Sequence, residues 1–117
     1  MNNTFCHVEL TTDDPVKAKA FYGKLFSWTF EDAGGDYTMI KTGEDPGGGF
    51  MKKPNPQVPT AWLTYVMVES VEATVKKARK LGGTIIVDKT PIPDMGAFAV
   101  LADPTGGVIG VFEPSEG

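Results

Sequence analysis

Phe5-Cys6-His7-Val8-Glu9-Leu10-Thr11, followed closely by Asp14-Pro15, is the stretch from which the fold can be read. Side chains alternate faces along a strand, so Cys6, Val8 and Leu10 share one face and Phe5, His7 and Glu9 the other. Asp14 is a helix N-cap and Pro15 suits the first helical position. Ala18, Phe21, Tyr22 and Leu25 then recur at helical spacing. Gly23 within that helix costs about 1 kcal/mol against alanine, so the helix must depend on packing. Trp28–Glu31 and Tyr37–Thr42 read as short strands around a Gly34-Gly35-Asp36 turn. Gly47–Lys52 reads as a weaker strand of open register, because its three glycines offer little side-chain packing.

The second half repeats this order. Residues 54–59 are proline-rich and read as a connector. Ala61–Val68 is again a strand, Ser70 an N-cap, and Val71, Val75, Ala78 and Leu81 one face of a helix ended by Gly82-Gly83. Thr84–Asp88, Ala97–Ala102 and Val108–Phe112 follow as strands, the last two joined by an Asp103-Pro104-Thr105-Gly106 turn. Asp94-Met95-Gly96 reads as a loop that could cover the mouth of a cleft. At an offset of 56 residues Tyr22 falls on Ala78, Leu25 on Leu81 and His7 on Leu63. The expectation is one α+β domain over residues 1–117, built of two tandem βαβββ modules at about 4–53 and 60–114. Neither half has the apolar surface to stand alone. The two should pair into a curved, partly open, barrel-like mixed sheet with the helices outside.

Composition narrows the function classes. A net charge of −4 provides no basic patch for a phosphate backbone, and Lys76, Lys77, Arg79 and Lys80 fit a solvated helix face, so no nucleic-acid partner is expected. No apolar run approaches the roughly 20 residues of a membrane span. Met1-Asn2-Asn3-Thr4 does not read as the start of a signal peptide, and one cysteine cannot form an internal disulfide; both suit a cytoplasmic protein. Cys6 should be an inert, core-facing thiol.

His7 is the sole histidine, and with Glu9 beside it on one face it could be half of a metal site, an acid–base pair or a polar spot in a cleft. His7-Val8-Glu9-Leu10, Asp14-Pro15, Ala20-Phe21-Tyr22, Leu25-Phe26-Ser27-Trp28, Leu81-Gly82-Gly83 and Phe98-Ala99-Val100 through Gly107 together resemble the vicinal oxygen chelate superfamily. That superfamily includes glyoxalase I, extradiol dioxygenases and bleomycin-resistance proteins. The chain most resembles small bacterial proteins described as related to lactoylglutathione lyase. The resemblance implies a sheet-lined cavity in which metal-using members place ligands on the first and last strands of each module. Carried over, the first ligand position is His7, the second falls near Gly49 or Phe50, the third on Leu63 and the fourth on Gly110. Only His7 can coordinate, whereas such metals want three or four protein donors. Glu113 is nearby in sequence but on the opposite face from Gly110.

Parity then places Phe5, His7 and Glu9, Leu63, Tyr65 and Met67, and Val108, Gly110 and Phe112 toward the cavity, joined by Phe50 or Met51. The expected lining is therefore Phe5, His7, Glu9, Phe50, Leu63, Tyr65, Met67, Gly110 and Phe112, apolar and aromatic with a few polar groups. Gly110 and Gly47–Gly49 either leave room for a ligand or accommodate curvature. Trp28 and Trp62 fit core or interface positions, and Asp103 a turn. The leading expectation is a metal-free protein that binds a small organic molecule and needs no cofactor. The alternative is a lyase- or isomerase-like enzyme with His7 as acid, base or metal ligand and Glu9 as its partner. A homodimer is expected from the resemblance, with cavities completed across a two-fold interface.

Overall fold

The computed structural model describes residues 2–35, 37–53, 56–57 and 59–115. Asp36 of the first hairpin turn, and Pro54, Asn55 and Val58 of the connector, lie outside the described residues. The chain divides into two compact units, Cys6–Leu63 and Thr64–Gly117, the latter with Met1–Phe5.

In the unit Cys6–Leu63, β1 (Phe5–Thr12) leads to α1 (Pro15–Leu25), then β2 (Thr29–Asp32), β3 (Tyr37–Lys41) and β4 (Gly48–Lys52). The strands lie in the order β2-β3-β4-β1. β1 and β4 are parallel; β2–β3 and β3–β4 are antiparallel. The Asp14 carboxylate accepts the Lys17 N–H at 3.0 Å and caps α1, as the Asp-Pro start implies. Leu10 pairs with Phe50 and Ile40 with Phe30, so these side chains share the face that meets α1. Leu10, Ile40 and Phe50 form the buried core, with Ala18, Tyr22, Trp28 and Phe30 packed around it. Gly23 has a packing reason: a Cβ there would lie 3.1 Å from the Phe30 ring, so its absence lets the helix approach the sheet. Trp62, at the start of the next strand, joins this face edge-on to Tyr22 at 5.5 Å.

The other unit repeats the scheme with β5 (Ala61–Met67), α2 (Val71–Lys80), β6 (Thr84–Ile92), β7 (Gly96–Ala102) and β8 (Val108–Pro114). Here the order is β5-β8-β7-β6, with β5 and β8 parallel. In both units the first strand pairs in parallel with the fourth, and the third and then the second follow outward. The α+β fold of two βαβββ modules is thus as expected. Val71 and Val75 of α2 pack on Ala99, Leu101 and Val111. Ser70 caps α2 by accepting the Ala73 N–H at 3.1 Å. Glu113 adds a second cap, accepting the Val71 N–H at 2.9 Å. It therefore serves the helix-side face, away from Gly110.

β6 runs four residues beyond the expected Asp88, through register irregularities between Ile85 and Thr90. Pro91 is tolerated there because β6 is paired with β7 alone and its other edge needs no donor. The extension turns Asp94-Met95-Gly96 into the tight end of the β6–β7 hairpin, closed by Met95 N–H to Ile92 C=O at 3.0 Å. Asp94 takes φ 66° to make this turn.

Phe50 is fully buried in the α1-side core, so Phe50→Ala should lower unfolding free energy in urea by about 3–5 kcal/mol. A loss under 1 kcal/mol would contradict the register. Glu113→Ala should cost about 1 kcal/mol through the lost helix cap. Glu113→Gln, which keeps an acceptor oxygen, should recover part of that in the same measurement.

Candidate functional site

The register that sends Phe50 to α1 sends its neighbours the other way. Glu9 pairs with Gly49 and Thr11 with Met51 across β1 and β4. Tyr37 pairs with Met51 and Met39 with Gly49 across β3 and β4. His7, Glu9, Gly49, Met51, Tyr37 and Met39 therefore share the face away from α1. The open register resolves to Met51, and Phe50 is removed from the expected lining.

Tyr37 gives this face its character. Its side chain crosses β4 above Gly49, and its hydroxyl bonds to His7 Nε2. The two rings are near parallel, 26° apart with centroids 6.1 Å apart. A Cβ on Gly49 would fall inside the Tyr37 phenol. The missing side chain is therefore space for Tyr37, not open room for a ligand. Burial lowers the His7 pKa below its usual 6.5, since the imidazolium would lose hydration, so the ring is neutral at pH 7. A neutral imidazole and a phenol can exchange donor and acceptor roles and can pass a proton between them. Glu9, two residues on, is only 5% exposed.

In the other unit Tyr65 is buried and pairs with Gly110, whose Cβ would fall inside the Tyr65 ring. Phe98 packs edge-on to Tyr65 at 6.3 Å. Met67 pairs with Phe112 and Phe112 with Phe98, so Tyr65, Met67, Gly110, Phe112 and Phe98 share the face away from α2. Leu63, in the first unit, is half-buried and alternates with Trp62, which faces α1. Phe5 is 67% exposed at the start of β1. Tyr37 and Phe98 stand on these two faces and were absent from the lining expected from the sequence. The signal for Tyr37 was its place just after a Gly-Gly turn, with an alternate position free to face His7.

The donor set does not fit the metal implied by the resemblance. Among the described residues no three His, Cys, Asp or Glu side chains converge. Gly49 and Gly110 offer no donor, and tyrosine rings fill the space in which one would project. Cys6 is no substitute nucleophile, because burial raises its pKa and keeps the thiol protonated. Asp103 is a turn residue: Oδ1 accepts from the Thr105 hydroxyl at 2.6 Å and its N–H at 2.7 Å, which holds the carboxyl below its usual range. A groove of about 430 Å³ lies on the α1 side, walled by Leu10, Phe21, Tyr22 and Trp62 with Asp14 and Lys17 at its rim.

The sequence is 40% identical over 111 residues to "Putative glyoxylase CFP32" of Mycobacterium tuberculosis, covering 92% of this chain and 42% of that protein. It is 26% identical over 122 residues to "Anthracycline biosynthesis protein DauV" of a Streptomyces species, covering 89% and 44%. The chain thus spans under half the length of these curated relatives. By structure it is similar to methylmalonyl-CoA epimerase from Mycobacterium tuberculosis, with TM-score 0.70 at 14% identity, covering 95% of this chain and 87% of that one. It is likewise similar to hypothetical protein BH1468 from Bacillus halodurans, with TM-score 0.69 at 16% identity, covering 100% and 98%. At these identities the likeness is one of fold. The model of the glyoxalase-like domain matches residues 7–112, and the chain belongs to that family, within the vicinal oxygen chelate superfamily.

Proposed function

We propose that this chain binds a small organic molecule on the His7 face of the Cys6–Leu63 unit, without the metal of its metal-using relatives. The observation that carries this reading is the His7–Tyr37 pair lying over Gly49. Two uncharged polar groups are set among Met39, Met51 and the half-buried strand face. Such a surface suits an apolar molecule with one or two oxygen atoms. The name of one relative, an anthracycline biosynthesis protein, is compatible with a ligand of that kind.

A second reading has its own support. The neutral imidazole in contact with a phenol is a proton-transfer pair, suited to a lyase- or isomerase-like step in which His7 takes a proton and Tyr37 steadies the oxygen that gains charge. The glyoxylase name of the 40% identical relative favours an enzyme of that class. We also place the protein in the cytoplasm as a homodimer. A lone cysteine suits a reducing compartment. Val16, Phe21, Leu25 and Phe26 on and just after α1 are exposed apolar side chains that a second copy would cover.

A thermal-shift screen across metabolites, aromatic compounds and antibiotics on metal-free protein should find a stabilising ligand, because binding raises apparent stability by mass action. His7→Ala and Tyr37→Phe should each weaken that ligand's affinity. If turnover is found, His7→Ala should abolish it under the enzymatic reading and leave only weaker binding under the first. A screen that stabilises His7→Ala as much as the native protein would overturn both. Light scattering should give twice the chain mass.

His7 also makes stability depend on pH. Its folded pKa lies below the unfolded value of 6.5, so the unfolded chain takes up the proton first as pH falls. The contribution is complete above pH 6.5 and is lost as pH drops through the folded pKa. Urea midpoints between pH 7.5 and 4.5 should therefore fall more steeply for the native protein than for His7→Gln. Parallel curves would rule this out.

A further inference from the structure

We propose that Tyr37 is a plug: its phenol occupies the space into which a metal ligand at position 49 would project, and so converts a metal position into a hydrogen-bonding one. This deepens the metal-free reading above and rests on it. Three observations lead here. Gly49 is the Cα partner of Glu9 on the His7 face, so a side chain at 49 would project beside His7 and Glu9. That volume is filled by the Tyr37 hydroxyl and the ring carbons next to it. The hydroxyl is bonded to His7 Nε2, so a metal binding at that atom would have to displace it.

The other unit repeats the device independently. Gly110 is the Cα partner of Tyr65, and the Tyr65 ring fills the space of its missing side chain. At both positions the pairing is of a glycine with an overlying tyrosine. A glycine needed only for sheet curvature would leave that volume open or filled by backbone, as at Gly48, where a Cβ would meet the Val8 carbonyl. At each position the glycine supplies no side-chain donor and the overlying tyrosine leaves no space for one. Tyr37 is a specificity-determining residue, because it decides whether His7 meets a cation or a phenol.

The test uses the single histidine, whose imidazole nitrogen signals are unambiguous in a nitrogen-15 NMR spectrum. Equimolar Zn²⁺ or Ni²⁺ added to the native protein should leave the His7 signals unmoved. Tyr37→Phe keeps the ring and loses the hydroxyl, so it should shift the Nε2 signal with no metal present. Tyr37→Ala with Gly49→Glu opens the volume and sets a carboxylate opposite Glu9, giving three donors on one face. That variant should bind Zn²⁺ near one equivalent by calorimetry, with a shift at His7. Tyr37→Ala with Gly49→Asp is the alternative if the first variant does not fold.

Zn²⁺ or Ni²⁺ shifting His7 in the native protein would overturn the proposal, as would a folded double variant that takes up no metal. An Nε2 signal unchanged in Tyr37→Phe would remove the hydrogen bond on which the plug rests. These readouts need no organic ligand. A failed ligand screen with a silent metal titration would count against the binding reading and leave the plug standing.

Discussion

Parallel pairing of β1 with β4, in the register that sets Leu10 beside Phe50, is the constraint on which the rest of the first unit depends. A one-residue slip would carry every β4 side chain to the opposite face. Phe50 would then leave the core it shares with Leu10 and Ile40, and Gly49 would turn toward α1. The register is held because burying a phenylalanine is favourable and exposing it is not. Glycine at 49 is a consequence: once β4 is fixed by Phe50, the position facing His7 must be small enough for Tyr37 to cross. Core packing on one face thereby sets the chemistry of the other.

That chemistry centres on a histidine bonded to a phenol, with Glu9 on the same face. Burial lowers the His7 pKa, because the imidazolium would lose hydration. A metal site at the same place would have needed several converging donors and would have drawn its specificity from a Lewis acid. A neutral hydrogen-bonding pair offers less electrostatic stabilisation but reads the position of an oxygen atom with direction. Family membership alone does not decide between the two. Gly49 and Gly110 bear on that choice, because a glycine under a tyrosine supplies neither a side-chain donor nor room for one.

Much of the architecture is legible in the residues, for local reasons. Asp14-Pro15 and Ser70 announce the helix starts, and the alternation along β1 sorts Leu10 from His7 correctly. The repeat at an offset of 56 residues gives both modules. What is not legible depends on partners distant in sequence. The glycine-rich β4 has no alternating pattern of its own, so Phe50 and Met51 exchange places until Leu10 fixes the register. Tyr37 reaches His7 across an intervening strand, 30 residues away in sequence. Asp94 enters a left-handed turn because β6 extends past Asp88, and that extension follows from its pairing with β7. Glu113 was placed on the correct face by parity, yet its role as a cap needed the α2 N-terminus beside it.

The two units differ most in how their helices are held. α2 buries Val71 and Val75 and has acid at its N-terminus from both Glu72 and Glu113, a self-sufficient arrangement. α1 has no buried residue, and its hold on the sheet is the half-buried aromatic set of Tyr22, Trp28 and Phe30 around Phe50. These rings contact one another in stacked and tilted arrangements, which supply the area that α1 does not bury itself. The helix without buried side chains lies behind the strands that carry His7 and Tyr37, and the one with Val71 and Val75 buried lies behind Tyr65. The unit that holds the His7–Tyr37 pair is thus also the one whose helix rests on half-buried aromatic rings and not on buried aliphatic side chains.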